Sequence, residues 1–303
     1  MNNLNPNILV IRQLALGDVL LCTPIIKQLY RDHNGQCNID VLTLKPDIFL
    51  NNPYVRKVLT PQTYPENNEF YTKTINLDLA YEKQPHIHII DAYATFSHGY
   101  PGAIKDKRIE LFSTEGDRLK VKTIQSELIK DEYVVIHMRK DTWPSRNLAE
   151  STWKSIVDLI LEQTSYKVVQ VGSNHEISFN HNPRLLNFLG ALSIHELKEI
   201  ISGAKYYYGI DSGTLHIAAT TDTPIISMFT SAHHRLREPL DRPQSSHFIP
   251  IQPDIDCYGC QENYTPPITG VICHRGDPYS PPCKDSFRLG IIQDSLKKIA
   301  FLE

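Results

Sequence analysis

Residues 206–219 read YYYGIDSGTLHIAA, and this stretch restricts the possible folds more than any other. An aromatic and β-branched run reads as a buried strand. Gly209, Asp211, Ser212 and Gly213 follow as a turn of small residues, and Thr214 to Ala219 opens a helix. A strand that turns through small residues into a helix leaves backbone N–H groups pointing beyond the sheet. Such a turn suits an anion, a phosphate or diphosphate. Asp211 and Ser212 are equally good N-caps, so a plain capped helix is the competing reading.

A second, similar element stands near the N-terminus. Residues 7–12, NILVIR, read as a buried strand, and Gln13 to Gly17 turn. Asp18 starts a helix that carries Val19, Leu20, Leu21, Ile25, Ile26 and Leu29. Pro24 is tolerated only near a first turn, so the helix begins either at Asp18 or at Cys22–Thr23. In both cases Asp18 lies near a strand's carboxyl end, where open α/β sheets bind ligands. An N-cap role for Asp18 is the bland alternative.

The rest of the chain repeats the pattern. Strand-like runs at 37–44, 133–137, 166–171 and 224–229 alternate with helical patterns at 148–163 and 193–203. Ser193 with Glu196 three residues on is a capping box. Strand, helix, strand in repetition means parallel sheets with right-handed crossovers. At 303 residues the chain is long enough for two domains. The expected division is 1–130, 131–284 with a loop-rich stretch from Ser231, and a closing helix 285–303 free to pack back on the first domain. Further strands are expected at 55–59 and 76–80, with 86–93 either strand or helix.

Net charge is −3, which gives no basic footprint for nucleic acid. No apolar run approaches the roughly 20 residues of a membrane span, so at most peripheral membrane contact is expected. The opening residues lack a signal peptide's basic flank and apolar core, and a cytoplasmic protein is expected. Neither half carries a full Gly-x-Gly-x-x-Gly fingerprint, which argues against a nicotinamide or flavin dehydrogenase.

Four segments together resemble glycosyltransferase family 9, the ADP-heptose:lipopolysaccharide heptosyltransferases. They are ILVIRQLALGDVLLCTP at 8–24, TWPSRNLAESTW at 142–153, the 209–219 turn followed by Thr223-Pro224, and a late cysteine cluster. Residues 45–130 match poorly. The resemblance implies a GT-B fold, two Rossmann-like α/β domains whose parallel sheets face a cleft. It implies inverting transfer of a heptose or related sugar from an ADP-sugar to a glycan or protein acceptor, with no cofactor required for the transfer. Asp18 matches the family's general base, and a desolvated carboxylate suits that role. Gly17 lies beside it. Ser212, Gly213 and Thr214 would donate N–H groups to the diphosphate. Arg146 stands at the family's phosphate-contacting lysine, and its fork binds phosphate oxygens in pairs. Arg139 and Lys140 share its loop; a solvated basic loop is the alternative. Gly172 and Ser173 form a nucleotide-facing turn, Glu176 resembles the ribose-binding acid, and Asp211 would meet sugar hydroxyls. His216 either faces the phosphate or packs. Trp143 and Trp153 read as core or loop anchors.

Cys257, Cys260, Cys273 and Cys283 lie in a proline-rich loop, spaced by two, twelve and nine residues. Four thiolates suit a structural zinc or iron, with His274 as a fifth candidate and a reduced, unliganded cluster as the alternative. Cys22 and Cys37 read as small core hydrophobes. Two other functions fit the fold: a nucleotide-sugar epimerase of the non-hydrolysing type, and a non-catalytic sugar-nucleotide-binding protein. The Asp18 loop is not expected in the first, and loss of Asp18 or of the 211–213 turn would mark the second.

Overall fold

The computed structural model describes residues 5–67, 70–138, 144–176, 178–263, 273, 275–277 and 280–300. Arg139, Lys140, Trp143 and His274 lie outside the described residues. The chain divides into two α/β units. The first comprises residues 1–112 with Pro239–Asp241, and the second 113–238 with 242–303.

The first unit is built on a parallel sheet of β1 (Asn7–Ile11), β2 (Asn38–Leu42), β3 (Lys57–Leu59) and β4 (Lys73–Asn76), ordered β3-β2-β1-β4. Ile8, Leu9 and Val10 are buried because a central parallel strand is covered on both faces. Both readings of the first helix hold in part. A short helix α1 (Leu16–Leu20) carries Asp18 in its first turn, and α2 (Thr23–Asp32) starts afresh with Pro24 in its first turn. The strand expected at 76–80 sits at Lys73–Asn76, and Leu77 continues it only through its N–H bond to the Ile11 carbonyl. The ambiguous run at 86–93 is the start of α3 (Ile89–His98), capped by the His88 ring. Lys107 N–H donates to the Asp241 carboxylate at 2.7 Å, which ties the 239–241 segment to this unit.

The second unit begins with α4 (Glu115–Ile124), so the expected boundary at residue 130 falls inside it. Helix α4 packs on α6 (Ile194–Ser202). Its sheet runs β10-β9-β8-β5-β6-β7, all parallel, from β5 (Tyr133–Ile136), β6 (Lys167–Gln170), β7 (Leu185–Asn187), β8 (Tyr207–Ile210), β9 (Ile225–Met228) and β10 (Phe248–Ile251). Helix α5 (Glu150–Gln163) covers one face with Trp153, Ile156, Val157 and Ile160. Ser193 and Glu196 form the expected reciprocal cap of α6. The closing helix α8 (Leu289–Ala300) packs on α5 and β10 of the second unit. Ile292 and Leu296 are buried in that unit's core. Among the described residues no helix is long and apolar enough to cross a membrane.

Candidate active site

In the first unit the chemistry gathers beyond the carboxyl end of β1. A pocket of about 350 Å³ is lined by Arg12, Asp18, Asp78, Tyr81 and Glu82, with Leu14, Leu44 and Leu79 among its apolar residues. Arg12 follows β1 directly and is buried. Its Nη2 donates to Asp18 Oδ2 at 2.7 Å and its Nη1 to the Leu77 carbonyl at 3.2 Å. The guanidinium lies 5.5 Å from the Tyr81 ring and 5.8 Å from the Tyr93 ring, both within cation–π reach. Burial works to lower its pKa, but Tyr93, Asp18, Cys22 and Tyr81 outweigh burial and raise it. The Asp18 side chain is 21 % exposed, and its carboxylate is paired with Arg12. Gly17 is buried in α1 beside it. Burial raises the Cys22 thiol and the Tyr93 phenol, so both stay neutral donors near Asp18. Burial also raises the Glu82 carboxyl.

In the second unit the residues after β5, β6 and β8 build a separate constellation. Gly209 belongs to β8 and not to the turn; a Cβ there would run into the Tyr207 ring and hydroxyl. Asp211 and Ser212 make the turn, and the six residues Gly213–Ala218 form α7. Ser212 is the N-cap by position, yet its hydroxyl makes no cap bond. It meets His137 Nδ1 at 3.2 Å instead. A helix of six residues carries a small dipole, so local N–H groups matter more here than the macrodipole. Thr214 and His216 are buried within α7.

Asp211 is 2 % exposed. Its Oδ2 lies 2.7 Å from Arg146 Nη1 and 3.8 Å from Arg237 Nε. The carboxylate expected to hold sugar hydroxyls is thus the counter-ion of two buried guanidiniums. Arg146 Nη2 also donates to Gln261 Oε1 at 2.9 Å. The Gly172-Ser173 turn folds over Glu176, whose Oε1 accepts the Ser173 N–H at 3.0 Å and lies 3.5 Å from His137 Nε2. Glu176 Oε2 is buried without a hydrogen-bond partner among the described residues. A buried carboxylate oxygen left so costs about 1–3 kcal/mol, which points to a missing donor such as a ligand hydroxyl. Arg12, His137, Arg237 and Gln261 were not anticipated from sequence. The first two stand one residue beyond β1 and β5, the position that marks ligand contacts in open α/β sheets.

Cys283 is buried, Cys257, Cys260 and Cys273 are half-buried, and no disulfide joins any of the four. Burial first, then the three neighbouring cysteines, push the Cys283 thiol up to about 12. Four thiols within electrostatic reach match the donor chemistry of a soft cation. Among the described residues, however, no three His, Cys, Asp or Glu side chains group closely enough to hold a metal ion.

Residues 71–263 match glycosyltransferase family 9 (heptosyltransferase). No curated protein sequence matches the chain. Among solved structures, a family 9 glycosyltransferase from Veillonella parvula aligns over 100% of this chain and 99% of its own, with a TM-score of 0.74 and 13% identity. The dodecameric iron-containing heptosyltransferase TibC of Escherichia coli, in complex with ADP-D-β-D-heptose, aligns over 98% of this chain and 78% of its own, at TM-score 0.71 and 15% identity. The E. coli ADP-heptose lipopolysaccharide heptosyltransferase II aligns over 80% and 92%, at 0.62 and 14%. At these identities the likeness establishes the fold: α/β with two parallel sheets, of the GT-B kind.

Proposed function

Because the chain belongs to glycosyltransferase family 9, we propose that it transfers a heptose or related sugar from an ADP-sugar to a glycan or protein hydroxyl, with inversion at the anomeric carbon. The observation that carries this reading is the Asp18 carboxylate on the wall of the first unit's pocket. Asp18 takes the proton from the acceptor hydroxyl as its oxygen bonds to the anomeric carbon. The bond to the β-phosphate oxygen breaks on the opposite face, and ADP departs with the electron pair. Arg12, fixed by the Leu77 carbonyl and two tyrosine rings, holds the carboxylate in one orientation.

Negative charge then grows on the diphosphate. Arg146 and the backbone N–H groups of Ser212, Gly213 and Thr214 receive it, already oriented and largely out of water. The cation in this scheme is Arg146, so no divalent metal enters the transfer. Asp211 keeps Arg146 in place. Glu176 Oε2 accepts a ribose hydroxyl and so satisfies the oxygen left without a partner. ADP-heptose is the favoured donor, being the nucleotide sugar held by the TibC structure.

The four cysteines are the proposed ligands of a structural zinc or iron, which would brace a loop that has little core of its own. The donor assignment is tested by thermal shift against ADP, UDP, GDP and CMP sugars. Stabilisation by ADP-sugars is expected; stabilisation by uridine or guanosine sugars alone would end the heptosyltransferase reading.

A further inference from the structure

We infer that Gln261 is a positioning residue for Arg146, and that the Cys257–Cys260 segment is thereby a working part of the donor site. This rests on the reading of Arg146 as the diphosphate's cation. Arg146 and Gln261 are each 6 % exposed, so neither side chain has bulk water as an alternative partner. Gln261 Oε1 accepts from Arg146 Nη2 at 2.9 Å while Asp211 Oδ2 holds Nη1 at 2.7 Å. A hydrogen-bond acceptor on one nitrogen and a carboxylate paired with another set both the position and the plane of a rigid guanidinium; the ion pair alone would leave it free to pivot.

Gln261 is itself held by backbone. Its N–H donates to the Ser231 carbonyl at 2.9 Å, and Gly259 N–H donates to the Thr230 carbonyl at 3.3 Å. Thr230 Oγ1 in turn donates to the Ser145 carbonyl at 2.7 Å, next to Arg146. Gly259 has φ +73°, and a Cβ there would come within 3.1 Å of the His233 ring and Cβ. Glycine in the Cys-x-x-Cys segment is what lets it lie against the loop after β9. From that seat the residue following Cys260 reaches Arg146.

The test is a double-mutant cycle on the full chain, read as ADP affinity by calorimetry, with the thermal midpoint of each ligand-free variant as a folding control. Gln261→Met keeps the volume and removes the acceptor. It is expected to weaken ADP by about tenfold, the effect of losing one hydrogen bond to a charged group. In an Arg146→Met background the same change is expected to cost less than about twofold, because Gln261 then has nothing to position. An equal loss in both backgrounds would mean that Gln261 merely supports the fold, and no loss in the wild-type background would mean it positions nothing. Either result overturns the inference. If Arg146→Met itself leaves ADP affinity unchanged, or the wild-type protein binds no ADP, the donor-site reading falls first and takes this one with it.

Discussion

Gly172 offers the sharpest test of how the turn after β6 in the second unit is built. Its φ is +150°, and a Cβ there would sit 2.2 Å from Glu176 Oε1 and 2.5 Å from its carboxyl carbon. Gly172→Ala therefore carries two separate costs. Backbone strain in this glycine-favoured region is worth about 1–3 kcal/mol. Overpacking against the carboxylate adds about 1–3 kcal/mol, eased somewhat if Glu176 swings away and gives up the Ser173 N–H. A total of about 2–4 kcal/mol is expected. In a Glu176→Ala background the second cost vanishes, so the same substitution should cost about 1–2 kcal/mol less there. Trp153 is buried in the second unit's core, so urea unfolding followed by tryptophan fluorescence reports on that unit. The ligand-free protein is used, since bound nucleotide would add its own stabilisation. An alanine variant as stable as the parent, or an equal cost in both backgrounds, would show that Glu176 does not occupy the space described.

Other outcomes follow from the same geometry. Asp18→Asn should lower transfer by at least about a hundredfold, the general-base contribution, with ADP affinity unchanged in calorimetry; activity near the parent's would remove Asp18 from the base role. Burial first, then His233 and Arg235, hold the His234 imidazole down at about 4, against an ordinary 6.5. The unfolded chain therefore takes up this proton first, and stability is lost as pH falls from 6.5 toward 4, by at most about 3 kcal/mol. His234→Phe should flatten the thermal midpoint's pH dependence in that window, and a profile parallel to the parent's would refute the assignment. Elemental analysis of protein purified without a histidine tag should find about one zinc or iron per chain, lost in a Cys260→Ser, Cys283→Ser variant. Full metal retention there would exclude the cysteine site.

Much of the fold was legible because parallel sheets write strands as continuous apolar runs. The failures have particular causes. Strand β10 carries Pro250, which demotes a run in any reading of a central strand. It is tolerated because β10 is the edge of the sheet, where one N–H row faces no neighbour. Strand β4 is polar at Lys73, Thr74 and Asn76, and only Ile75 is buried, so its apolar pattern is a single residue long. Helix α4 starts at Glu115, well ahead of Val121, its one buried residue. The Thr114–Asp117 reciprocal cap marks that start and could have been read from the spacing.

The candidate site was legible where a residue's role depends on its own position along a strand and illegible where it depends on a partner far away. Asp18, Gly172 and Asp211 each lie a few residues beyond a strand end, Asp18 in the first turn of α1, and that position alone singles them out. Arg12 and His137 occupy equivalent positions but read as the last residues of apolar strands, so their type was discounted where their place should have counted. Gln261 lies 115 residues from Arg146, on a loop whose cysteines drew attention to metal instead. No local pattern ties those two residues together; only closure of the β5, β8 and β9 loops at one end of a parallel sheet does. That closure also changes what Asp211 is. A carboxylate on a phosphate-binding turn would repel the ligand if it faced it with its charge uncompensated. Paired with Arg146 and near Arg237, both buried, it forms a group of net positive charge, and the turn can then take an anion. Removing Asp211 would therefore take from two buried guanidiniums the carboxylate they share, which predicts loss of the folded turn rather than tighter diphosphate binding.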